Sequence, residues 1–497
     1  MLNGGFPSIP LRLGTDDEFA ALRSALDTAG YTEPAICERL GLQNISQFKF
    51  VTELRSPSRT LTKNPDSLDL LIRLFLENEP LERDAAQTLP LNILAALGLV
   101  AHHASDASLL SGTVLLHPLR GLYIVSDRPS PIEGGERRPP DDFVYPAIIP
   151  NTQLFLDNIP PSPCDAFLDL CAGTGVAALV AARDGAAHAY SYDITPRSTA
   201  FAEFNRRLNG IPNLTASQGD LYEPAGELTF DRIVAHPPYV PVYRPNLIFD
   251  SGGQDGEQIV RRIIEGLPRY LRPGGRFYAL TMGSDRQHPF EQRLREWLGP
   301  AEREFDVAFV NRRTRTPREW AAESVISKNG SVTDIAEWRS FFENLHVSAL
   351  VYGMVMIQRR AKNRPVFTLR RQLGSHTGPA EHARLLDWET AVVTHEPGWL
   401  LGLRPRSTSG ARLHVEHRFD DGKWVPDTYH LEIDHPFASG LPAQAWTAHL
   451  LSCADGSLTA AELLYRLKSD GALHPETPAS AFAEMLATLI SGGFLQV

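Results

Sequence analysis

The chain has only four cysteines in 497 residues, Cys37, Cys164, Cys171 and Cys453. They are too few and too scattered for a disulfide framework and lack metal-ligand spacing, so a reducing compartment and no metal centre are expected. A basic surplus is also missing. With 48 basic and 59 acidic side chains the formal charge is −11, the wrong sign for a broad surface that grips phosphates. Long apolar runs are absent too: the longest near-continuous one, Leu91 to Ala101, is too short to cross a bilayer. Met1-Leu-Asn-Gly-Gly-Phe6 has neither a basic n-region nor an apolar h-region. No internal repeat and no low-complexity tract stands out. These absences predict a cytoplasmic globular protein with no membrane partner, of a length that holds two to four domains.

What is present falls into four segments. Residues 1–128 are expected to be mostly helical, with helices at Asp66–Leu76 and Leu89–His102. A hairpin of Thr113–His117 and Leu122–Val125 around Pro118 and Gly121 closes the segment. That order suggests a winged-helix-like module, and its 11 basic against 15 acidic residues favours packing or substrate contact over DNA binding. Arg128–Asp142, with four prolines and two glycines, has the composition of a linker. From 129 to 360 strands and helices alternate, which predicts an α/β domain with a mainly parallel sheet. Its late strands are expected at Arg276–Thr281, Phe305–Val310 and Ser348–Ile357, with helices at Phe290–Leu298 and Thr333–Leu345. Residues 361–440 are expected as strands, including a hairpin of Leu413–Phe419 and Thr428–Ile433. Residues 441–497 are helical again, opened by the capping box Thr459-Ala-Ala-Glu462, and form a second, possible winged-helix-like module.

The chemistry concentrates between Phe167 and Tyr239. Phe167-Leu-Asp-Leu-Cys-Ala-Gly-Thr-Gly175 is an apolar strand running into a glycine turn, where Gly173 and Gly175 let the backbone approach a ligand. The third glycine of a dinucleotide fingerprint is missing. Asp193, at the end of Ala189-Tyr-Ser-Tyr-Asp193, is placed to accept both hydroxyls of a ribose or to cap the helix after it. Asp220 follows in Gly219-Asp220-Leu221, and Asp231-Arg-Ile-Val-Ala-His236-Pro237-Pro238-Tyr239 closes the run. A neutral imidazole at 236 offers one acceptor nitrogen and one N–H, and an unperturbed one, titrating near about 6.5, could also act as a base. The run Asn311-Arg-Arg-Thr-Arg-Thr-Pro-Arg318 is either a solvated loop or a contact for an anionic substrate. His102, His103, His414, His417, His430 and His435 form no persuasive metal constellation.

This run resembles the class I methyltransferases, and within them the release-factor glutamine methyltransferase and methyltransferase small-domain group. Ile148-Ile-Pro-Asn-Thr-Gln-Leu-Phe-Leu156 is similar to the segment before the first strand there, and Asp250-Ser-Gly-Gly-Gln-Asp255-Gly256 to the glycine loop after the catalytic tetrapeptide. The resemblance covers about 143–285. It implies a Rossmann-like core and S-adenosylmethionine as cofactor, held by Asp169, Cys171, Ala172, Gly173, Gly175, Asp193, Ile194, Asp220 and Leu221. It also implies that His236, Pro237, Pro238 and Tyr239 hold the methyl acceptor, with His236 where the group has Asn or Asp. The fold expected is therefore α/β, a Rossmann-like methyltransferase core with a helical N-terminal module and a β-plus-helix C-terminal extension. The expected reaction is methyl transfer to an amide or amine nitrogen, releasing S-adenosylhomocysteine, with a protein amide or a small molecule as acceptor. Three alternatives stay open: a small-molecule O- or N-methyltransferase using His236 as base or acceptor, an RNA or DNA base methyltransferase, and a non-catalytic S-adenosylmethionine sensor or scaffold.

Overall fold

The computed structural model describes residues 9–48, 64–103, 106–128, 140–161, 163–241, 252–253, 255–327 and 332–497. Most of the expected linker and part of the Asp250–Gly256 loop lie outside the described residues. The chain divides into two compact units, Met1–Thr281 and Met282–Val497, a division that differs from the boundaries expected at 128 and 360.

The first unit begins with α1 (Asp16–Thr28), α2 (Glu33–Leu40) and α3 (Ser67–Phe75), followed by the short β1 (Leu81–Glu82) and α4 (Leu91–Ala96). Thr15 and Glu18 form a capping box on α1, and Asp66 caps α3 through the Asp69 N–H at 2.8 Å. The helix expected at Leu89–His102 stops at Ala96. Gly98 takes φ +76°, which breaks the helix, and β2 (Val100–His103) then pairs with β3 (Asp106–Gly112). β4 (Leu115–Leu119) and β5 (Leu122–Ser126) form the expected hairpin, in register Leu119↔Leu122.

After α5 (Pro150–Asp157) come β6 (Cys164–Leu170), α6 (Val176–Arg183), β7 (Ala186–Asp193), α7 (Pro196–Leu208), β8 (Leu214–Gln218) and β9 (Phe230–Ala235). α8 (Gln258–Tyr270) leads into β10 (Leu271–Asp285). The strands lie in the order β10-β9-β6-β7-β8, all parallel, with β6 and β9 buried across Phe167–Leu170 and Arg232–Ala235.

The N-terminal segment shares its core with this sheet's flank. Phe201, Phe204 and Leu208 of α7 lie in one apolar cluster with Phe19, Leu22 and Tyr31, the rings of Phe19 and Phe204 being 5.0 Å apart. Asn205 of α7 and the helix's C-cap, Asn209, one turn further on, pair with β5 as a neighbouring strand would. Asn205 Oδ1 accepts from the Val125 N–H at 2.8 Å, and its amide donates to the Val125 carbonyl at 3.0 Å. Asn209 treats Tyr123 the same way, at 2.8 and 2.7 Å. Below them Arg197 grips Asp127 at 2.6 and 2.7 Å, both side chains buried.

The second unit contains α9 (Phe290–Trp297), β11 (Phe305–Arg315), α10 (Pro317–Ser327), α11 (Val332–Asn344), β12 (Ala349–Arg359) and β13 (Thr368–Leu373). The segment expected as strands alone also carries a helix, α12 (Pro379–Thr394), whose buried face is His382, Leu385, Leu386 and Glu389. Its mixed sequence, PAEHARLLDWETAVVT, lacks a clean period of either kind. Then follow β14 (Arg406–Ser407), β15 (Arg412–Asp420), β16 (Lys423–Ile433), β17 (Phe437–Ala443), α13 (Ala445–Cys453), α14 (Ala460–Ser469), α15 (Ala479–Ser491) and β18 (Leu495–Gln496). Here the strand order is β12-β11-β13-β17-β16-β15, antiparallel except for the β11–β13 pair. Thr459 and Glu462 make the expected capping box, and α13–α15 close over Leu450, Leu463, Phe482 and Leu486. Arg313 and Arg315, from the basic run, both pair with Glu323 of α10, at 2.9 and 2.7 Å. No described helix is long and apolar enough to cross a membrane.

Candidate active site

Strand register decides which loops meet. Leu170 of β6 pairs with Ala235 of β9, so Cys171 and His236 leave the sheet side by side. On the other flank Leu170 pairs with Tyr192, which brings Asp193 to the same edge. Because the chain runs from β6 outward to β8 and then crosses back to β9, these carboxyl ends flank the point where strand order reverses, where open α/β sheets bind ligands.

The glycine turn is a run of left-handed residues: Cys171 (φ +55°), Gly173 (+53°) and Gly175 (+74°). Gly175 starts α6, and a Cβ there would come 2.9 Å from the Ala202 Cβ, so α7 packs too closely for any larger residue. A Cβ on Gly173 would meet nothing within 4 Å, which leaves the turn open to a ligand. Ala172 anchors the turn by donating its N–H to the Tyr192 carbonyl at 3.2 Å. Thr174 is tied from behind, its carbonyl accepting from the Asn205 amide at 3.0 Å.

Asp193 organises the crevice. Its Oδ2 accepts from the Gly173 N–H at 2.9 Å and its Oδ1 from the Thr195 N–H at 3.0 Å. It is not the cap of α7: Thr195 is, accepting from the Ser198 N–H. Asp169 is 2% exposed and accepts from the Ala178 N–H at 3.3 Å. Burial pushes its pKa up to about 8; that hydrogen bond opposes the shift and the nearby Asp193 adds to it. Burial first, and then the neighbouring carboxylates, also hold the Cys171 thiol well above its ordinary range, which disfavours the thiolate. Asp220 accepts from Arg262 of α8 at 2.8 Å, and Leu221 beside it takes φ +52°. Ile194, between Asp193 and the Thr195 cap, is 52% exposed.

His236 sits in an aromatic stack. Its ring lies 5.2 Å from Phe155 of α5 at 29° and 5.8 Å from Tyr239 at 23°. α5 also presents Asn151, whose amide donates to the Tyr239 hydroxyl at 3.1 Å. Pro237 is buried, and Pro238 is half-buried between it and Tyr239. A Cβ on Gly256 would meet the Tyr239 carbonyl at 2.5 Å, so the described end of the following loop packs closely on the tetrapeptide. Desolvation pushes the His236 pKa down to about 4. That direction favours a neutral ring near pH 7 over the base role that an ordinary titration leaves open, although the side chain is only half-buried.

All of the expected site residues belong to this unit, and strand register gathers Asp169, Cys171–Gly175, Asp193 and His236–Tyr239 at its β6–β7–β9 edge. Four others escaped sequence reasoning: Phe155, Asn151, Asn205 and Arg262. Only Phe155 and Asn151 carried a signal, since both lie within the Ile148–Leu156 segment.

A family model, the methyltransferase small domain, matches residues 140–305. A Methanocaldococcus jannaschii protein, provisionally named a protein N5-glutamine methyltransferase, is 34% identical over 129 residues, covering 24% of this chain and 64% of that protein. The release factor glutamine methyltransferase of Geobacter sulfurreducens is 34% identical over 123 residues, 22% of this chain and 43% of its own. The ribosomal protein uL3 glutamine methyltransferase of Bradyrhizobium diazoefficiens is 36% identical over 128 residues, 23% and 40%. The chain thus spans less than two thirds of the length of each. With the parallel sheet, the glycine turn and the acidic residue that ends β7, residues 140–305 match the methyltransferase small domain and have the fold of the class I methyltransferases.

Proposed function

We propose that this protein transfers a methyl group from S-adenosylmethionine to the side-chain amide nitrogen of a protein glutamine. The observation that carries the reading is His236 stacked against Phe155 and Tyr239 and emerging beside the glycine turn, with its pKa lowered by desolvation. The donor site suits a cationic cofactor: Asp193 braces the turn, Asp169 lies buried beneath it, and the exposed Ile194 supports a flat base. Asp220, paired with Arg262, is the candidate partner for the adenine edge. S-adenosylmethionine, when bound, supplies an electrophilic methyl carbon on a sulfonium sulfur.

An amide nitrogen is a poor nucleophile because its lone pair is delocalised into the carbonyl. Neutral His236 offers one ring-nitrogen lone pair to an amide N–H, and the Pro237 carbonyl offers a second acceptor. Two fixed acceptors turn the nitrogen toward the methyl carbon and hold its lone pair out of conjugation. Tyr239, steadied by Asn151, is the flat surface on which an amide plane rests. The nitrogen forms its bond to the methyl as the sulfur–methyl bond breaks, and the surplus proton leaves to water rather than to His236. Glutamine is the acceptor named for the three relatives' class of reaction, and a planar primary amide fits an acceptor pair that cannot take a proton.

The test is methyl transfer from isotopically labelled S-adenosylmethionine into a cell extract, separated into protein, nucleic-acid and small-molecule fractions, with Asp193→Ala as background. Label in protein that hydrolyses to N5-methylglutamine supports the proposal. Label confined to small molecules or nucleic acid overturns the acceptor, and cofactor binding without any transfer overturns the activity.

A further inference from the structure

β15 and β16 form an exposed arm at one edge of the second unit's sheet, and among the described residues β15 pairs only with β16. Alternation sorts the arm into two unlike faces. Leu413, Val415, His417 and Phe419 of β15 share a face with Leu431, Tyr429, Pro426 and Trp424, their respective partners across the ladder, so that face is apolar apart from His417. Phe419 is 60% and Trp424 69% exposed, and their rings meet edge to face at 5.4 Å. The opposite face of β15 is charged: Arg412, His414, Glu416, Arg418 and Asp420. A nine-residue edge strand with an apolar face and open backbone groups invites strand addition, and β15 carries neither the lysine nor the proline that commonly blocks it.

The charge order says what fits. In antiparallel self-pairing, residues directly opposite share a face, so the strand must be centred on a residue rather than on a peptide bond. Centring on Val415 sets Arg412 against Arg418. Centring on Glu416 sets that carboxylate against itself and His414 against Arg418. Centring on Arg418 sets that guanidinium against itself and Glu416 against Asp420. Centring on His417 sets Glu416 against Arg418 and His414 against Asp420, each twice, with Val415 against Phe419 and His417 against its own copy on the other face, and it opposes no two carboxylates and no two guanidinium groups. The present partners of these charges, Asp420 and Asp427 for Arg418 and Thr428 for Glu416, are exposed contacts that yield easily.

We propose that β15 pairs antiparallel with β15 of a second copy of this chain, centred on His417. The result is a two-fold dimer joined by a continuous β16-β15-β15-β16 sheet. The arm belongs to the second unit and contributes none of the residues proposed for methyl transfer, so the dimer does not depend on that activity.

Sedimentation velocity of the full chain across about 1–100 µM, where a small interface of this kind dissociates, reads the association directly. A species of twice the 55.0 kDa chain mass is expected. Glu416→Arg and Arg418→Glu each place two like-charge pairs across the two-fold, and each weakens association by about tenfold or more. An equimolar mixture of the two variants restores it, because both cross-strand pairs are again of opposite sign. Circular dichroism checks that each variant is folded. A monomeric wild type overturns the proposal, as does a dimer indifferent to either substitution or single variants whose mixture stays monomeric.

Discussion

Asn205→Leu isolates a strut between the N-terminal hairpin and the glycine turn. Asn205 is fully buried, and its amide serves three backbone groups: the Val125 N–H at 2.8 Å and the Val125 and Thr174 carbonyls, each at 3.0 Å. Leucine has similar volume, so water does not enter to replace the lost partners. Each buried group left unpaired costs about 1–2 kcal/mol, about 3–6 kcal/mol for the three. Whole-domain stabilities are about 5–15 kcal/mol, so the loss is severe. At about 2–4 °C per kcal/mol, the melting temperature should fall by about 6–24 °C. Asn209→Leu is the control. It has the same chemistry toward Tyr123 but is half-buried, so water re-pairs the strand and the cost stays near about 1 kcal/mol. Thermal and urea unfolding measure both, and calorimetry of cofactor binding adds a second reading, since only Asn205 touches the turn. Equal costs for the two variants, or unchanged cofactor affinity in a folded Asn205→Leu protein, would refute the strut.

Three further outcomes are expected. His236→Ala should keep cofactor affinity and lose turnover, whereas His236→Asn should retain turnover; with the His236 pKa near 4, wild-type turnover should show no histidine step near neutrality and should fall only as acid removes the acceptor lone pair. A rate step near neutral pH that disappears in His236→Asn would contradict this. Asp169, raised to about 8, binds its proton more tightly folded than unfolded, so its contribution to stability is full below the unfolded carboxylate range and is lost as pH rises through 8. A cationic cofactor favours the ionised form, so its affinity should rise over the same window, and Asp169→Asn should flatten both profiles in denaturation and binding titrations. Cys171→Gly should leave turnover intact and raise stability by up to about 1 kcal/mol, because φ +55° strains any residue with a Cβ; thermal unfolding that shows a loss instead would show that the thiol's packing outweighs the strain.

The parts legible in the sequence are those set by local patterns. The strand–glycine turn at Phe167–Gly175, the acidic residue after β7 and the Thr459–Glu462 cap depend on short-range geometry, which spacing reports directly. Where expectation and structure part, long-range pairing is the cause. Val100–His103 continues an apolar run that suits a helix, but β3 offers it a ladder and Gly98 supplies the break. Asn205 is one polar residue on an amphipathic helix until β5 arrives beside it, after which it is a strand partner.

His236 makes the same point about chemistry. Its identity alone admits an acceptor, a base or a structural role, since a solvated imidazole titrates close to neutrality. The choice among these depends on Phe155, 81 positions earlier, and Tyr239, three later, whose rings stack on a half-buried imidazole. A carboxylate within reach would raise its pKa; desolvation lowers it to about 4 instead, which supports the acceptor role proposed above. The role proposed for the residue that departs from the family pattern thus rests in part on α5, a helix that meets it only in the folded chain.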